Sequence, residues 1–223
     1  LWPTESNRGA LWALLELPIG ENERGFFASG LPCSNADPSP VLYKATRSAT
    51  SGYPNIVPFE AFAEDAEFRE LPHVAFGSMS LAHPMGATVG DVDQDGFFDL
   101  ITTLDELYGL FSGTETGLYT DRTGTAGVSP PPLEDGLNAI GWGTALLDLD
   151  SDGLEDLVVA NGIGDLRYFF SDEGLSDEPI VAFRNTGNFT FERFEDDLGL
   201  GTRGQWRSLT VGDISGNGAP DLL

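Results

Sequence analysis

Short apolar segments recur along the second half of the chain, and glycine, proline or acidic residues lie between them. The segments are rich in Val, Ile, Leu and Phe and are shorter than ordinary helices, which favours buried β-strands. The predicted strands are 85–90, 99–103, 108–111, 118–120, 142–147, 156–160, 166–170, 180–184, 189–194, 207–212 and 221–223. The pattern therefore predicts an all-β protein.

The pattern is weaker over the first 80 residues. Segments 40–44 and 57–62 are interpreted as the two outer strands of an earlier sheet. The leucine-rich stretch 10–17 fits either one helix or one strand, and it is far shorter than the ~20 apolar residues that a membrane-spanning helix requires. Residues 1–39 are consequently poorly defined at this stage.

Three aspartate-rich segments with one common spacing lie between predicted strands: the first loop (91–99), the second loop (148–156) and the third loop (213–221). Oxygen-bearing side chains occupy loop positions 1, 3, 5 and 9, and glycine occupies position 6. Alternate side chains of a tight turn converge, and a hard cation takes oxygen ligands, so the spacing predicts calcium sites. An EF-hand would need flanking helices and a glutamate at position 12, where the chain has Thr102 and Val159.

The expected ligands are the side chains at positions 1, 3, 5 and 9 and the backbone carbonyl of position 7. They are Asp91, Asp93, Asp95, Phe97 and Asp99; Asp148, Asp150, Asp152, Leu154 and Asp156; and Asp213, Ser215, Asn217, Ala219 and Asp221. The third loop has two carboxylates against four in each of the others, so we expect it to bind most weakly or to hold its turn without metal. The alternative is that all three are ordinary Asp-Gly or Asn-Gly hairpin turns with solvated acids, which recurrence in register disfavours.

The spacing of the loops predicts the architecture. The first aspartates of successive loops are 57 and 65 residues apart, which is room for four strands and close to one β-propeller blade. We therefore expect a partial β-propeller of about three to four four-stranded blades with calcium-binding hairpin loops. The expected units are an undefined segment 1–39, a partial preceding blade 40–80, blades 81–137 and 138–203, and the start of a truncated blade 204–223.

Segments 141–162, 183–192 and 197–200 carry a family resemblance, together with the loops. Over about residues 80–223 the chain resembles the FG-GAP/VCBS repeat proteins, which include the integrin α-subunit propeller, and within them the ASPIC/UnbV and cartilage acidic protein type. The resemblance implies a calcium-bearing propeller outside the cytoplasm, of which this chain would be a fragment. Departures from the family pattern are Ser215, Asn217, Pro220 and the pair Phe97–Phe98.

The net charge of −25 narrows the choice of partners. A field of this sign repels nucleic acid and anionic membranes, so we expect no nucleic-acid partner and no membrane insertion.

Calcium is abundant outside cells, which favours an extracellular, secreted, cell-surface or periplasmic location. The single cysteine, Cys33, permits no internal disulfide, and calcium loops can take over that stabilising role.

Candidate catalytic groups are sparse in the sequence. The two histidines, His73 and His83, lie near prolines and are interpreted as turn or packing residues, and Trp142 and Trp206 fit core packing better than sugar stacking. The sequon at 188–190 is more simply part of a hairpin, with its turn expected at 185–188. We expect a non-catalytic module for protein or glycan recognition or adhesion, assembled with the remaining blades of its parent chain; the alternative is an accessory propeller of a secreted glycan or lipid hydrolase whose active site lies elsewhere.

Overall fold

The computed structural model describes residues 10–20, 23–31, 41–47, 54–58, 85–104, 107–115, 119–134, 136–162 and 177–223. Within these ranges the backbone forms short strands in antiparallel sheets, together with one four-residue helix, α1 (Glu195–Leu198). The all-β prediction is confirmed for this part of the chain. No helix found here has the length and apolarity needed to cross a bilayer.

The first sheet is a four-stranded antiparallel meander near the beginning of the chain. Its strands are β1 (Ala10–Gly20), β2 (Glu23–Leu31), β3 (Val41–Arg47) and β4 (Pro54–Pro58), paired in that order. The sequence predicted the two outer strands and left 10–17 open between a helix and a strand. The structure has a strand there and adds β2, and of the second outer segment, 57–62, only residues 57 and 58 are among those described. The run at 10–17 is apolar almost throughout, and such a run does not distinguish a strand from a helix by its period.

The second and third sheets follow the same meander. The second contains β5 (Gly86–Gly90), β6 (Asp99–Leu104), β7 (Leu107–Gly113) and β8 (Tyr119–Asp121). The third contains β9 (Gly141–Leu147), β10 (Asp156–Asn161), β12 (Val181–Gly187) and β13 (Thr190–Arg193). Two ribbons complete the described fold: β11 (Glu178–Pro179) with β14 (Arg203–Gly204), and β15 (Val211–Gly212) with β16 (Asp221–Leu222).

Strand register makes the second and third sheets directly comparable. Phe111 pairs with Leu100 in the second sheet as Phe183 pairs with Leu157 in the third. The equivalent positions that follow from this register are Asp99 and Asp156, Leu100 and Leu157, Ser112 and Arg184, and Gly113 and Asn185. Each loop joins the first and second strands of its sheet, so the loops occupy equivalent places too.

The main core lies between these two sheets. Tyr108 of the second sheet meets Phe183 of the third edge-to-face, with ring centroids 6.2 Å apart. The buried members of this core are Val92, Ile101, Tyr108, Leu110, Ala126, Val128, Leu157, Val159, Val181, Phe183, Phe189 and Phe191. Because successive side chains of a strand alternate, Val158 belongs instead to a second cluster that includes Leu147 and Phe194. The third sheet is therefore covered on both faces.

The first strands of successive sheets are neighbours: β5 lies beside both β1 and β9. Gly86 in β5 and Gly143 in β9 each stand five residues before the first aspartate of a loop. A Cβ at Gly86 would overlap the carbonyl oxygen of Trp142, and one at Gly143 would overlap the backbone nitrogen of Leu209. Glycine at this position thus allows direct backbone approach between adjacent sheets.

Some local predictions differ from the structure. The hairpin between β12 and β13 turns at Asn188 and Phe189, which both have positive φ (52° and 60°), rather than at 185–188. Two such residues form the tight two-residue loop that suits strand twist. Asn185 is instead a buried member of β12. The predicted strand 166–170 lies outside the described residues, as does Leu118.

Candidate metal centre

The three aspartate-rich loops share one backbone conformation. The backbone at positions 4 and 6 of every loop lies in the left-handed region of φ and ψ. Glycine adopts this region without steric cost, whereas other residues adopt it at some steric cost. The φ values are 58°, 65° and 71° for Gln94, Ser151 and Gly216 at position 4, and 92°, 91° and 85° for Gly96, Gly153 and Gly218 at position 6. The common sequence frame therefore corresponds to a common three-dimensional turn.

Hydrogen bonds from backbone N–H groups to the loop side chains are also shared. Position 6 donates to position 1: Gly96 to Asp91, Gly153 to Asp148 and Gly218 to Asp213, at 3.1, 3.0 and 3.0 Å. Position 7 donates to position 5: Phe97 to Asp95, Leu154 to Asp152 and Ala219 to Asn217, at 2.8 Å each. Position 2 donates to position 9: Val92 to Asp99, Leu149 to Asp156 and Ile214 to Asp221, at 2.8, 2.9 and 2.8 Å. The side chains predicted as ligands therefore also shape the turn.

In the first loop the carboxylates of Asp91, Asp93 and Asp99 converge, with one oxygen of each lying within 4.8 Å of the others. Asp99 is fully buried and accepts hydrogen bonds from the N–H groups of Val92 (2.8 Å) and Gly113 (2.9 Å). The Oδ1 atom of Asp91 is buried and has no hydrogen-bond partner among the described residues. A buried, unpartnered carboxylate oxygen in such a cluster fits a bound cation, because its desolvation would otherwise be uncompensated.

The electrostatics of the first loop point the same way. Burial raises the pKa of Asp99 to about 7, against the lowering effect of its two N–H donors. Burial, and next the negative charge of Asp95, raise the pKa of Asp93. The cation-free fold thus disfavours the charged carboxylates, and a divalent cation would stabilise them.

The second loop repeats the cluster with Asp148, Asp150 and Asp156, whose oxygens also lie within 4.8 Å of one another. Asp156 is fully buried, burial raises its pKa, and its Oδ1 accepts the N–H of Asn185 at 2.8 Å. The N–H of Asn185 thus donates to Asp156 as the N–H of Gly113 donates to Asp99 at the first loop.

An arginine contacts the second loop directly. The Nε atom of Arg184 lies 2.8 Å from Oδ2 of Asp150, and its guanidinium stacks over the ring of Phe194 at 4.7 Å. The equivalent residue of the second sheet is Ser112. The sequence frame gave no indication of this difference, because Arg184 lies 28 residues after the loop in sequence.

The third loop differs in burial and in its internal contacts. Asp221 accepts hydrogen bonds from the N–H groups of Ile214 (2.8 Å) and Ser215 (2.7 Å), and the bond from Ser215 is the main cause of its lowered pKa. Asp213, Ser215 and Asn217 are exposed. Hydrogen bonds within the loop contribute to this turn, and weaker metal binding or a turn held without metal stays a prediction.

The structure thus brings together positions 1, 3 and 9 of the first and second loops. Position 5 is not part of either cluster: Asp95 and Asp152 are exposed and each caps the N–H of position 7. Those two carboxylates, the position 7 carbonyl oxygens of Phe97, Leu154 and Ala219, and the whole third loop remain predicted ligands.

The comparison with known families agrees with the repeat interpretation. Residues 148–223 match the model of the FG-GAP-like repeat family. The matched segment contains the second and third loops, and the first loop outside it has the same backbone conformation. This match supports the FG-GAP assignment and indicates a β-propeller repeat module. No curated protein matches the chain.

Proposed function

We propose that this chain is part of a non-catalytic, calcium-stabilised β-propeller that recognises a protein or glycan outside the cell. The observation that carries the calcium assignment is the convergence of three aspartates in each of two equivalent loops, with a buried, unpartnered oxygen on Asp91. The closer relationship to the ASPIC/UnbV and cartilage acidic protein type is part of the same proposal.

The ligand chemistry supports calcium over softer metals. All candidate donors are oxygens, most of them carboxylate, and calcium accepts six to eight oxygens in flexible geometry. Asp99 lies at the start of β6 and hydrogen-bonds to Val92, which follows β5, and to Gly113 at the end of β7. A cation held by Asp91, Asp93 and Asp99 would therefore fasten three strands of one sheet.

The arrangement of sheets supports a recognition role. Neighbouring first strands and a core between successive sheets are features of propeller blades, which present connecting loops on a rigid scaffold. FG-GAP repeats are typically extracellular, where calcium is available to such loops. The net charge of −25 favours partners other than nucleic acid or anionic membranes.

Calorimetric titration of the EDTA-treated chain with calcium tests the metal assignment. We expect two saturable calcium sites, a melting temperature that rises with calcium concentration, and weaker binding of magnesium, which demands stricter octahedral geometry. Absence of both binding heat and a melting shift would contradict the proposal.

Recognition is tested by screening the calcium-loaded chain against glycans and extracellular matrix proteins, with EDTA as the control that should abolish retention.

Arg184→Ser is expected to raise the calcium affinity of the second loop about fivefold, because the fixed positive charge of Arg184 beside the site repels the calcium ion. The substitution places at this position the residue that the second sheet has at Ser112. The measurement is calcium titration at physiological ionic strength, with Arg193→Ser as the control because Arg193 pairs with Glu195 outside the loops. Weaker binding by Arg184→Ser would show that the arginine orients Asp150 for the cation, and unchanged binding would show that its charge has no net effect on the site.

A further inference from the structure

The first and second loops are joined to each other by hydrogen bonds. Nε2 of Gln94 in the first loop donates to the carbonyl oxygen of Gly153 in the second at 2.8 Å. Nδ2 of Asn185, in β12, donates to the carbonyl oxygens of Val92 (2.7 Å) and Glu155 (3.1 Å). Neither connection was visible in the sequence, because the partners lie 30 to 93 residues apart.

One of these connections forms a continuous buried chain between the two clusters. The N–H of Asn185 donates to Asp156 at 2.8 Å, its side chain donates to the carbonyl of Val92, and the N–H of Val92 donates to Asp99 at 2.8 Å. All four residues have zero solvent exposure. The chain therefore links the position 9 carboxylate of the second loop to the position 9 carboxylate of the first.

A third connection reaches position 1 of the first loop. The carboxylate of Glu155 accepts the backbone N–H of Asp91. It occupies the space beside Gly90, where any Cβ would overlap it. Since Glu155 directly precedes Asp156, the segment that carries a ligand of the second loop also holds the first residue of the other loop.

From these contacts we propose that the two cation loops bind calcium with positive coupling, and that Asn185 is the positioning residue that transmits it. This inference rests on the proposed calcium binding. A cation in the second loop fixes Asp156 and hence Asn185, which holds Val92 and Asp99 in their bound arrangement. The first loop then loses less conformational freedom when it binds its own cation.

Electrostatics opposes this coupling, because two bound divalent cations repel each other. The proposed coupling is positive only if the buried hydrogen bonds outweigh this repulsion, which salt at physiological ionic strength reduces. The third loop provides an internal comparison. All hydrogen bonds described for its side chains are internal to the loop, so it is not joined to the second loop in the same way.

The test uses calcium titration of the full chain at physiological ionic strength with one loop disabled at a time. Asp93→Asn leaves the second loop as the main site, and Asp150→Asn leaves the first; both positions stand outside the buried chain. The product of the two wild-type association constants is divided by the product of the two single-site constants. We expect this ratio to be about five to ten, within the usual range of coupling between sites. Glu192→Ala, which removes an exposed negative charge outside the loops, should leave it unchanged.

Asn185→Ala should bring the ratio close to one while both loops still bind calcium. If Asn185→Ala does not fold, Asn185→Ser decides the question, because a serine hydroxyl has one hydrogen and cannot donate to both Val92 and Glu155 as the asparagine amide does. A wild-type ratio of one overturns the coupling, and a ratio that the decisive variant leaves intact overturns the role of Asn185; calcium binding stands in both cases. Absence of calcium binding by the wild-type chain overturns the proposed function and the coupling together.

Discussion

Asp148→Ala is expected to abolish the calcium-induced stabilisation supplied by the second loop. At calcium concentrations a hundredfold above the dissociation constant, a filled site adds about 2.7 kcal/mol to the free energy of unfolding. Urea unfolding in EDTA and in saturating calcium measures this difference for wild type and variant. The variant should retain only the calcium response of the first loop, and less of it if the two loops are coupled.

The carboxylate of Asp148 also holds the turn, through bonds from the N–H groups of Asp152 (3.1 Å) and Gly153 (3.0 Å). Asp148→Asn separates the two roles, since it keeps a side-chain acceptor but loses the charge. It should be more stable than Asp148→Ala in EDTA and share its lost calcium response. Glu192→Ala removes one exposed negative charge outside the loops and should respond to calcium like wild type. A full response in both Asp148 variants would refute the loop assignment.

The loops were predictable because their determinants are local. Each is a nine-residue frame in which glycine at position 6 and oxygen-bearing side chains at alternate positions specify one turn, and the structure shows that turn three times. The strands beside the loops were predictable for the same reason, since β10 is an apolar run bounded by Asp156 and Asn161. Local patterns therefore predicted the strands and turns from which the candidate site is built.

The contacts between loops were not predictable, because they depend on strand register. Asn185 reaches Asp156 only because Phe183 pairs with Leu157, and it reaches Val92 only because two sheets pack together. Repetition gave no hint either, since the equivalent residue of the second sheet is Gly113. The same asparagine was instead interpreted as a turn residue, which is the commonest local role of its side chain.

The pairing of β1 with β2 and the short helix were missed for different reasons. Strand β1 lacks the alternation that identifies a half-buried strand, so its pairing with β2 could not be inferred from its own residues. Helix α1 has only four residues, too few to show a helical period, and it ends at Gly199 with φ of 68°. Both elements depend on their neighbours more than on a pattern of their own.

Gly86→Ala is expected to lower the free energy of unfolding by about 3 kcal/mol, at the upper end of overpacking costs. The added methyl group would overlap the carbonyl oxygen of Trp142, which also accepts a hydrogen bond from Oγ1 of Thr103 at 2.7 Å. Relief would require β5 and β9 to separate, because the obstacle is backbone and no side-chain rotation can remove it. Urea unfolding in EDTA isolates this effect from calcium binding.

Gly124→Ala is the matched control, since nothing lies within 4 Å of its added Cβ and its φ is not in the left-handed region. It should be neutral or slightly stabilising, as alanine restricts the unfolded chain more than glycine does. Equal stability of Gly86→Ala and Gly124→Ala would show that the first strands of neighbouring sheets do not approach closely in solution. A large difference between them would instead tie the glycine that stands five residues before the first and second loops to the stacking of successive sheets, the feature on which a propeller arrangement depends.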